Sequence, residues 1–481
     1  MEMRIGLILL ALVGAAGLQS GSVMADPAPS AGVYYTDAVP QFQKPRLPDV
    51  TPEAPEARRQ WAEALSFDAV LYGTASVLQY AQMHEQAVNS AAPGYTGFNR
   101  FAHGRSLAEP GYAAFKSPNA DTLYSNAWLD LSNGPVMFMV PDTHGRYYTS
   151  NFIDMYANST NIGARTHGTT GGRYLIAPAN WVGVVPEGVT LFRVATPYVW
   201  VLLRILVDDR ADMKIANKLQ DQFIIAPLNT VKASEASRDF PPADTTSAEG
   251  FFRILDFVVK TNGFPIQEEA LVSRYRGIGI AGNTSISDAL ADEVVADAMK
   301  AGFTEANKVI ASALSQGGRT VNGWRESGDK GRYGSNYLYR SVINTLGTGS
   351  NVSDESTSFT TFTDNRGELL DGAKGNYQLI LSPPPPARFF WSVTVYDAQT
   401  KELHPNPIKR YRISDRTKGL RRGANGEVVI DLWPKLPPKK RSSNWLPVPK
   451  GRFYLGIRAY GPEADVINGV WKPNRVQFVV E

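Results

Sequence analysis

Two aspartates, Asp121 and Asp154, are the residues that type and neighbourhood best fit for chemistry in this sequence. Asp154 stands between Phe152 and Tyr156, and Asp121 opens the run Asp121-Thr122-Leu123-Tyr124. A carboxylate against aromatic rings loses water, which raises its pKa and suits it to proton transfer. On neighbouring strands such a pair could hydrolyse a sugar linkage, one carboxyl as acid and the other as base or nucleophile. Tyr124 and Tyr156 would line that cleft, with Arg165 beside them. Tyr339 and Arg340 follow a glycine-rich loop that could fold over it. Trp445 is a further candidate contact, offering a face for a sugar ring. The structural alternative for each aspartate is a turn cap, or an ion pair with Arg146 or Arg165.

Other motifs carry less. Gly277 to Gly282 matches G-x-G-x-x-G and precedes a helix, but no apolar strand leads into it, so a tight turn is expected rather than a nucleotide site. Ser327-Gly328-Asp329-Lys330 matches S-x-x-K, the spacing that sets a lysine one helical turn from a serine nucleophile. The surrounding glycines argue against a helix there. None of the five histidines has a partner at i+4, so no cofactor or metal is expected, although His144 or His167 with Asp121 or Asp154 leaves a metal open. The absence of cysteine excludes thiolate chemistry. A net charge of +3 is too mild for a nucleic-acid protein. Lys435, Lys439, Lys440 and Arg441, near Arg421 and Arg422, form a basic loop read as a solvated surface.

The elements that must position these groups follow from periodicity. Thr122 to Leu131 alternates, with Leu123, Ala127, Leu129 and Leu131 on one face and Tyr124, Asn126, Trp128 and Asp130 on the other. Asn133-Gly134 signals a hairpin to Val136–Val140, a strand expected to be buried on both faces. Tyr147 to Tyr156 completes a three-stranded meander in which Tyr148, Ser150, Phe152, Asp154 and Tyr156 share a face. Further strands are expected at 174–176, 190–194 and 199–206. Helices are expected at 56–92, 211–225, 251–260 and 287–314. Strands return at 377–381, 389–396, 428–432, 453–460 and 476–480, in the spacing of a sandwich or jelly roll.

Met1 to Ala25 carries Arg4, an apolar run from Ile5 to Leu18 and Val23-Met24-Ala25, the pattern of a secretory signal peptide at 1–25. Residues 26–55 read as an extended arm, 56–232 as an amino-terminal β-rich module, 233–320 as a helical connector and 321–481 as a β-sandwich module. The fold class is α+β and β-rich: an antiparallel-sheet module with flanking helices, then a sandwich of jelly-roll type. Nothing after residue 25 resembles a transmembrane run, so a periplasmic or secreted protein is expected.

Pro118-Asn119-Ala120-Asp121-Thr122-Leu123-Tyr124-Ser125, Trp128-Leu129-Asp130-Leu131, Gly134-Pro135, Tyr147-Tyr148 and Asp154-Met155-Tyr156 resemble the first half of a two-module bacterial family. Its halves are the domains of unknown function 1254 and 1214. Phe390 to Asp397, Asn406-Pro407, Asn444-Trp445-Leu446-Pro447, Arg458-Ala459-Tyr460 and Gly469-Val470-Trp471 resemble the second half. The resemblance implies a β-rich protein with a jelly-roll second module and no settled reaction. Two functional readings stand. One is an exported protein that binds a small molecule or glycan in the Asp121–Asp154 cleft, with a carboxylate-pair hydrolase as its enzymatic form. The other is a non-catalytic envelope assembly or interaction protein, and homo-oligomerisation is open in both.

Overall fold

A computed structural model of the chain describes residues 34–35, 50–112, 117–228, 239–282 and 284–479. The signal peptide expected at 1–25 and most of the expected arm lie outside these residues, as do the side chains of residues 439–441 in the basic loop. Among the described residues no helix is long and apolar enough to cross a membrane.

Two sheets packed face to face form the amino-terminal half. Five strands run in the order Ala102–His103, Thr122–Asp130, Tyr198–Leu206, Tyr148–Ile153 and Ser159–Gly163. Ile224–Pro227, Val136–Val140, Gly172–Pro178 and Thr190–Val194 make the facing sheet. Strand alternation supplies both sides of the first sheet. Leu123, Ala127, Leu129, Val201 and Leu203 point inward to Phe138, Val140 and Ile176. Trp128, Trp200 and Leu202 point outward to a helical layer.

The expected meander does not form. Strand Tyr198–Leu206, buried at every position, inserts between 122–130 and 148–153 and pairs with both. Val136–Val140 crosses to the second sheet, where alternate residues are half-buried, so it is not closed in on both faces. The Asn133-Gly134 turn therefore links two sheets rather than two neighbours. A local pattern identifies strands but cannot rank a distant, wholly apolar partner against an adjacent one. The chain also turns at Asp154, which sends Tyr156 into the helical layer while Tyr148 and Phe152 stay between the sheets.

Helix Pro55–Met83 starts on a proline, whose missing N–H costs nothing in a first turn, and ends in a π turn over His84–Val88. It packs on Ala248–Asn262, Glu293–Ala313 and Tyr337–Leu346. Its crossing with Glu293–Ala313 is made at Gly302, where a Cβ would lie 2.6 Å from Glu63 O and 2.8 Å from the Phe67 nitrogen. The long helix expected at 287–314 is two, Ile286–Ala291 and Glu293–Ala313. Asp292 leaves helical geometry between them and caps the second through Val294 N and Val295 N. The 211–225 helix is Met213–Gln220, followed by the strand Ile224–Pro227. Gly277 to Gly282 begins inside the second of two short helical segments, Glu269–Val272 and Ser273–Ile278, and continues past its end. Its glycines are packing points: Gly277 abuts Trp61, and Gly279 has φ +83° against Ala289 and Ile286.

In the carboxy-terminal half, six strands in the order Arg319–Val321, Trp324–Glu326, Ser356–Thr361, Phe453–Pro462, Ala387–Asp397 and Arg412–Ser414 face three, Val428–Leu432, Asn376–Leu381 and Gln477–Val479. Every pairing in these two sheets is antiparallel. This order shows mixed helix and sheet without a closed barrel. It does not spell out the eight-stranded jelly roll. Trp391, Val393 and Val395 fill the space between the sheets. Ser392, Thr394 and Tyr396 take the opposite face, which lies against the amino-terminal half.

Candidate functional site

Residues 117–121 join the two halves. Ser117 Oγ lies 2.6 Å from Tyr454 Oη, the Pro118 carbonyl accepts from Tyr396 Oη at 2.8 Å, and Asn119 Nδ2 donates to Tyr460 Oη at 2.8 Å. Asp121 is fully buried at the end of this run. Its Oδ2 accepts from Ser392 Oγ at 2.6 Å and Tyr460 Oη at 2.9 Å. Oδ1 lies 3.1 Å from Arg412 Nε, an ionic contact, because that N–H is directed to the Ala120 carbonyl at 2.9 Å. Asp121 thus has an arginine partner, but Arg412 rather than Arg146 or Arg165. Arg146 forks onto Asp212 with both bonds at 2.6 Å, and Arg165 Nε meets Glu355 at 2.8 Å.

Asp154 caps a turn. Its Oδ1 accepts from Tyr156 N at 2.8 Å and Asn158 N at 2.9 Å, the Asx-turn role of a short carboxylate. Tyr156 is buried, and its hydroxyl donates to the Gly263 carbonyl. Burial first, and the nearby acids Glu268 and Asp154 after it, push that phenol far above its ordinary pKa. Arg340 does join Tyr156, its guanidinium 5.7 Å from that ring and 5.0 Å from each of Tyr72 and Tyr337. It is 1% exposed, so it wedges the helices instead of lining a cleft. Tyr339 packs on Tyr333, and burial pushes its phenol up to about 12. Trp445 is no open platform: it is 5% exposed and its indole donates to the Trp433 carbonyl at 2.8 Å. Tyr124 meets a cation from outside the expected set, with the Arg204 guanidinium 5.2 Å over its ring.

Two further groups, Lys330 and Arg458, gather near Arg204. Arg204 stands near the end of the apolar strand Tyr198–Leu206 and reaches Asn151 Oδ1 at 2.7 Å, Asn351 Oδ1 at 3.3 Å and the Gly349 carbonyl at 2.6 Å. Arg458 lies on the interface face of Phe453–Pro462 and donates to Thr394 Oγ1 at 3.4 Å and the Ser117 carbonyl at 3.2 Å. Lys330 comes from the glycine-rich loop, which is tied to the other half by Ser159 N donating to the Gly331 carbonyl at 2.8 Å. Its Nζ donates to Ser358 Oγ at 3.4 Å, and Ser327 Oγ lies 3.3 Å from the same hydroxyl. Lys330, Arg458, Ser327, Ser358 and Tyr124 are all half-buried, and Arg204 is buried.

The hydrogen-bond acceptors of these cations are neutral, although Asp121 acts on Arg458 and Glu326 on Lys330 through space. Among the described residues, Arg204, Lys330 and Arg458 form no ion pair, while the carboxylates around them are engaged elsewhere: Asp121 with Arg412, Glu326 with Arg319, Glu355 with Arg165. The sequence held two signals for this site. One is a lone arginine in a nine-residue apolar strand. The other is the S-x-x-K spacing, whose serine and lysine meet at a third residue, Ser358, rather than along a helix. Neither signal located Arg458. Among the described residues no group of three or more His, Asp or Glu could hold a metal ion.

Burial disfavours the Lys330 ammonium first, Arg458 and Arg204 add to this, and Glu326 opposes, so its pKa falls from 10.5 to about 8. Between those values the folded chain binds fewer protons than the unfolded chain, and stability rises with pH. The gain is complete above 10.5 and is lost as pH falls through about 8. Lys330→Met is expected to flatten this rise in urea midpoints measured across the window. Parallel curves for the two proteins would place the titration on another group.

Residues 98–227 match the family described as Protein of unknown function (DUF1254), and residues 355–464 match DUF1214. The crystal structure of the VPA0106 protein from Vibrio parahaemolyticus has the same fold: TM-score 0.72, 24% identity, 87% of this chain and 100% of that one. An uncharacterized protein from Burkholderia cenocepacia is similar at a TM-score of 0.43 and 11% identity, over 89% of this chain and 91% of that one. No curated protein matches the chain.

Proposed function

We propose that this chain, a member of the two-module family that joins a DUF1254 module to a DUF1214 module, binds a small anionic molecule between its halves. The leader-like start of the sequence supports an exported protein, so the ligand would be met outside the cytoplasm. A carboxylate- or phosphate-bearing metabolite, or an acidic glycan, has the chemistry required.

One observation carries this reading: three cations, Arg204, Lys330 and Arg458, converge between the halves without an ion pair among the described residues. Setting like charges together in a low-dielectric site is costly unless a counter-charge is supplied. An anion removes that cost and finds hydroxyl donors at Ser327 and Ser358. The Asp121–Asp154 cleft has no comparable support, since both carboxylates are occupied by structural partners.

A thermal-shift screen with citrate, succinate, phosphate, sulfate and uronic acids tests it. A ligand at a hundred times its Kd is expected to stabilise the chain by about 2.7 kcal/mol. Arg458→Met is expected to weaken binding at least about tenfold, the loss of one charge-assisted contact. Stabilisation by none of these anions would reject the reading and favour an assembly role for the protein.

A further inference from the structure

We infer that Ser358 is a nucleophile with Lys330 as its general base, and that this cluster hydrolyses an ester carrying a second, anionic group. The inference rests on the anion reading, because the anionic group is what Arg204 would hold, with Arg458 left for the reacting carbonyl.

The geometry is that of an activated hydroxyl. Ser358 lies on Ser356–Thr361, inside a six-stranded sheet, where it pairs with Arg458 on one side while the next two residues, Phe359 and Thr360, pair with Trp324–Glu326 on the other. Lys330 Nζ approaches Ser358 Oγ at 3.4 Å from one direction and Ser327 Oγ approaches at 3.3 Å from another. Arg458 is the cross-strand neighbour of Ser358. A base, an orienting hydroxyl and a cation for a developing oxyanion therefore surround one half-buried serine. Burial and the two arginines bring the Lys330 pKa to about 8, so a useful fraction is neutral in mildly alkaline water. The ionisable groups facing it are Arg204 from Tyr198–Leu206, Arg458 from Phe453–Pro462 and Glu326 from Trp324–Glu326.

The reaction balances with water as the only co-reactant. Neutral Lys330 takes the Ser358 Oγ proton while Oγ bonds to the ester carbonyl carbon. The tetrahedral oxyanion is held by Arg458. Its collapse breaks the carbon–alkoxide bond, and the Lys330 ammonium returns the proton to the leaving alcohol. A water molecule, deprotonated by Lys330, then attacks the acyl–Ser358 ester, and the same proton returns to Ser358 as the acid leaves. Ser327 is a positioning residue, orienting the Ser358 hydroxyl.

The test uses the full chain and a fluorophosphonate probe, read by peptide mass mapping and paired with the anion thermal-shift assay. One adduct is expected at Ser358, with a labelling rate that rises through a single ionisation near pH 8. Ser358→Ala should lose the adduct and retain a reduced anion shift, since the hydroxyl donor is gone while Arg204 and Arg458 remain. Lys330→Met should slow labelling about a hundredfold. The chain has no cysteine, so Ser358→Cys introduces a single thiol and checks the site without relying on the alanine variant. Its iodoacetamide alkylation should slow when Lys330→Met is added. An anion shift with no adduct at Ser358 would overturn the hydrolysis inference and leave the binding reading standing. So would labelling equally fast in Lys330→Met. No anion shift in the wild-type chain would overturn the binding reading itself, and the inference with it.

Discussion

Asp121→Ala is expected to cost the protein about 3–5 kcal/mol, the usual penalty for removing one partner of a buried charged network. The substitution leaves the Ser392 hydroxyl and the Tyr460 phenol without their acceptor, and Arg412 without its counter-charge. All three are on the carboxy-terminal half, so the loss falls on the join between the halves. Asp121→Asn keeps the shape and an acceptor but no charge, and a smaller loss is expected. Urea unfolding of the three proteins checks this by comparing midpoints. An alanine variant within about 1 kcal/mol of wild type would show that the halves are held by their rings instead. Those rings are substantial: Tyr147 packs on Phe389, Phe390 and Tyr460, and Phe390 stacks on Tyr460 with centroids 4.0 Å apart.

Arg340→Ala is the second large effect. The guanidinium sits among the rings of Tyr72, Tyr156 and Tyr337 and donates to the Tyr72 carbonyl at 2.6 Å. Desolvated cation–π contacts contribute up to about 2 kcal/mol each, and a buried hydrogen bond from a charged donor about 1.5–3 kcal/mol. Allowing for the cost of burying the charge, the alanine variant is expected to lose about 3 kcal/mol or more and to open a cavity. Arg340→Met fills most of that volume without the charge, so the difference between the two variants separates packing from electrostatics. Equal losses would assign the wedge to charge; full recovery in Arg340→Met would assign it to volume.

Much of the fold was legible because alternation is a local signal. The two faces of Thr122–Asp130 and the split of Trp391 and Val393 from Ser392, Thr394 and Tyr396 both follow from strand parity. What each face meets is a long-range matter, and there the sequence misled. Tyr198–Leu206 displaced the expected hairpin partner, and the mixed face of Ala387–Asp397 proved to be the junction of the halves. Asp121 and Asp154 were attractive for their aromatic neighbours, yet a carboxylate that accepts backbone or hydroxyl hydrogens is as readily a fixture of the fold as an acid. The clustered cations were hard to find for the opposite reason. Arg204, Lys330 and Arg458 come from three elements 126 and 128 residues apart in sequence, and no spacing rule spans such distances.

The central strand Tyr198–Leu206 has a consequence for synthesis. Both of its partners, 122–130 and 148–153, leave the ribosome first. Each is apolar on the side that it later buries, and neither can complete its ladder on the other. Until residue 206 emerges, these nascent strands present open edges, which invite pairing with other chains. Slow translation between residues 153 and 206 would lengthen that exposure, and a holdase acting on this window would shorten its effect.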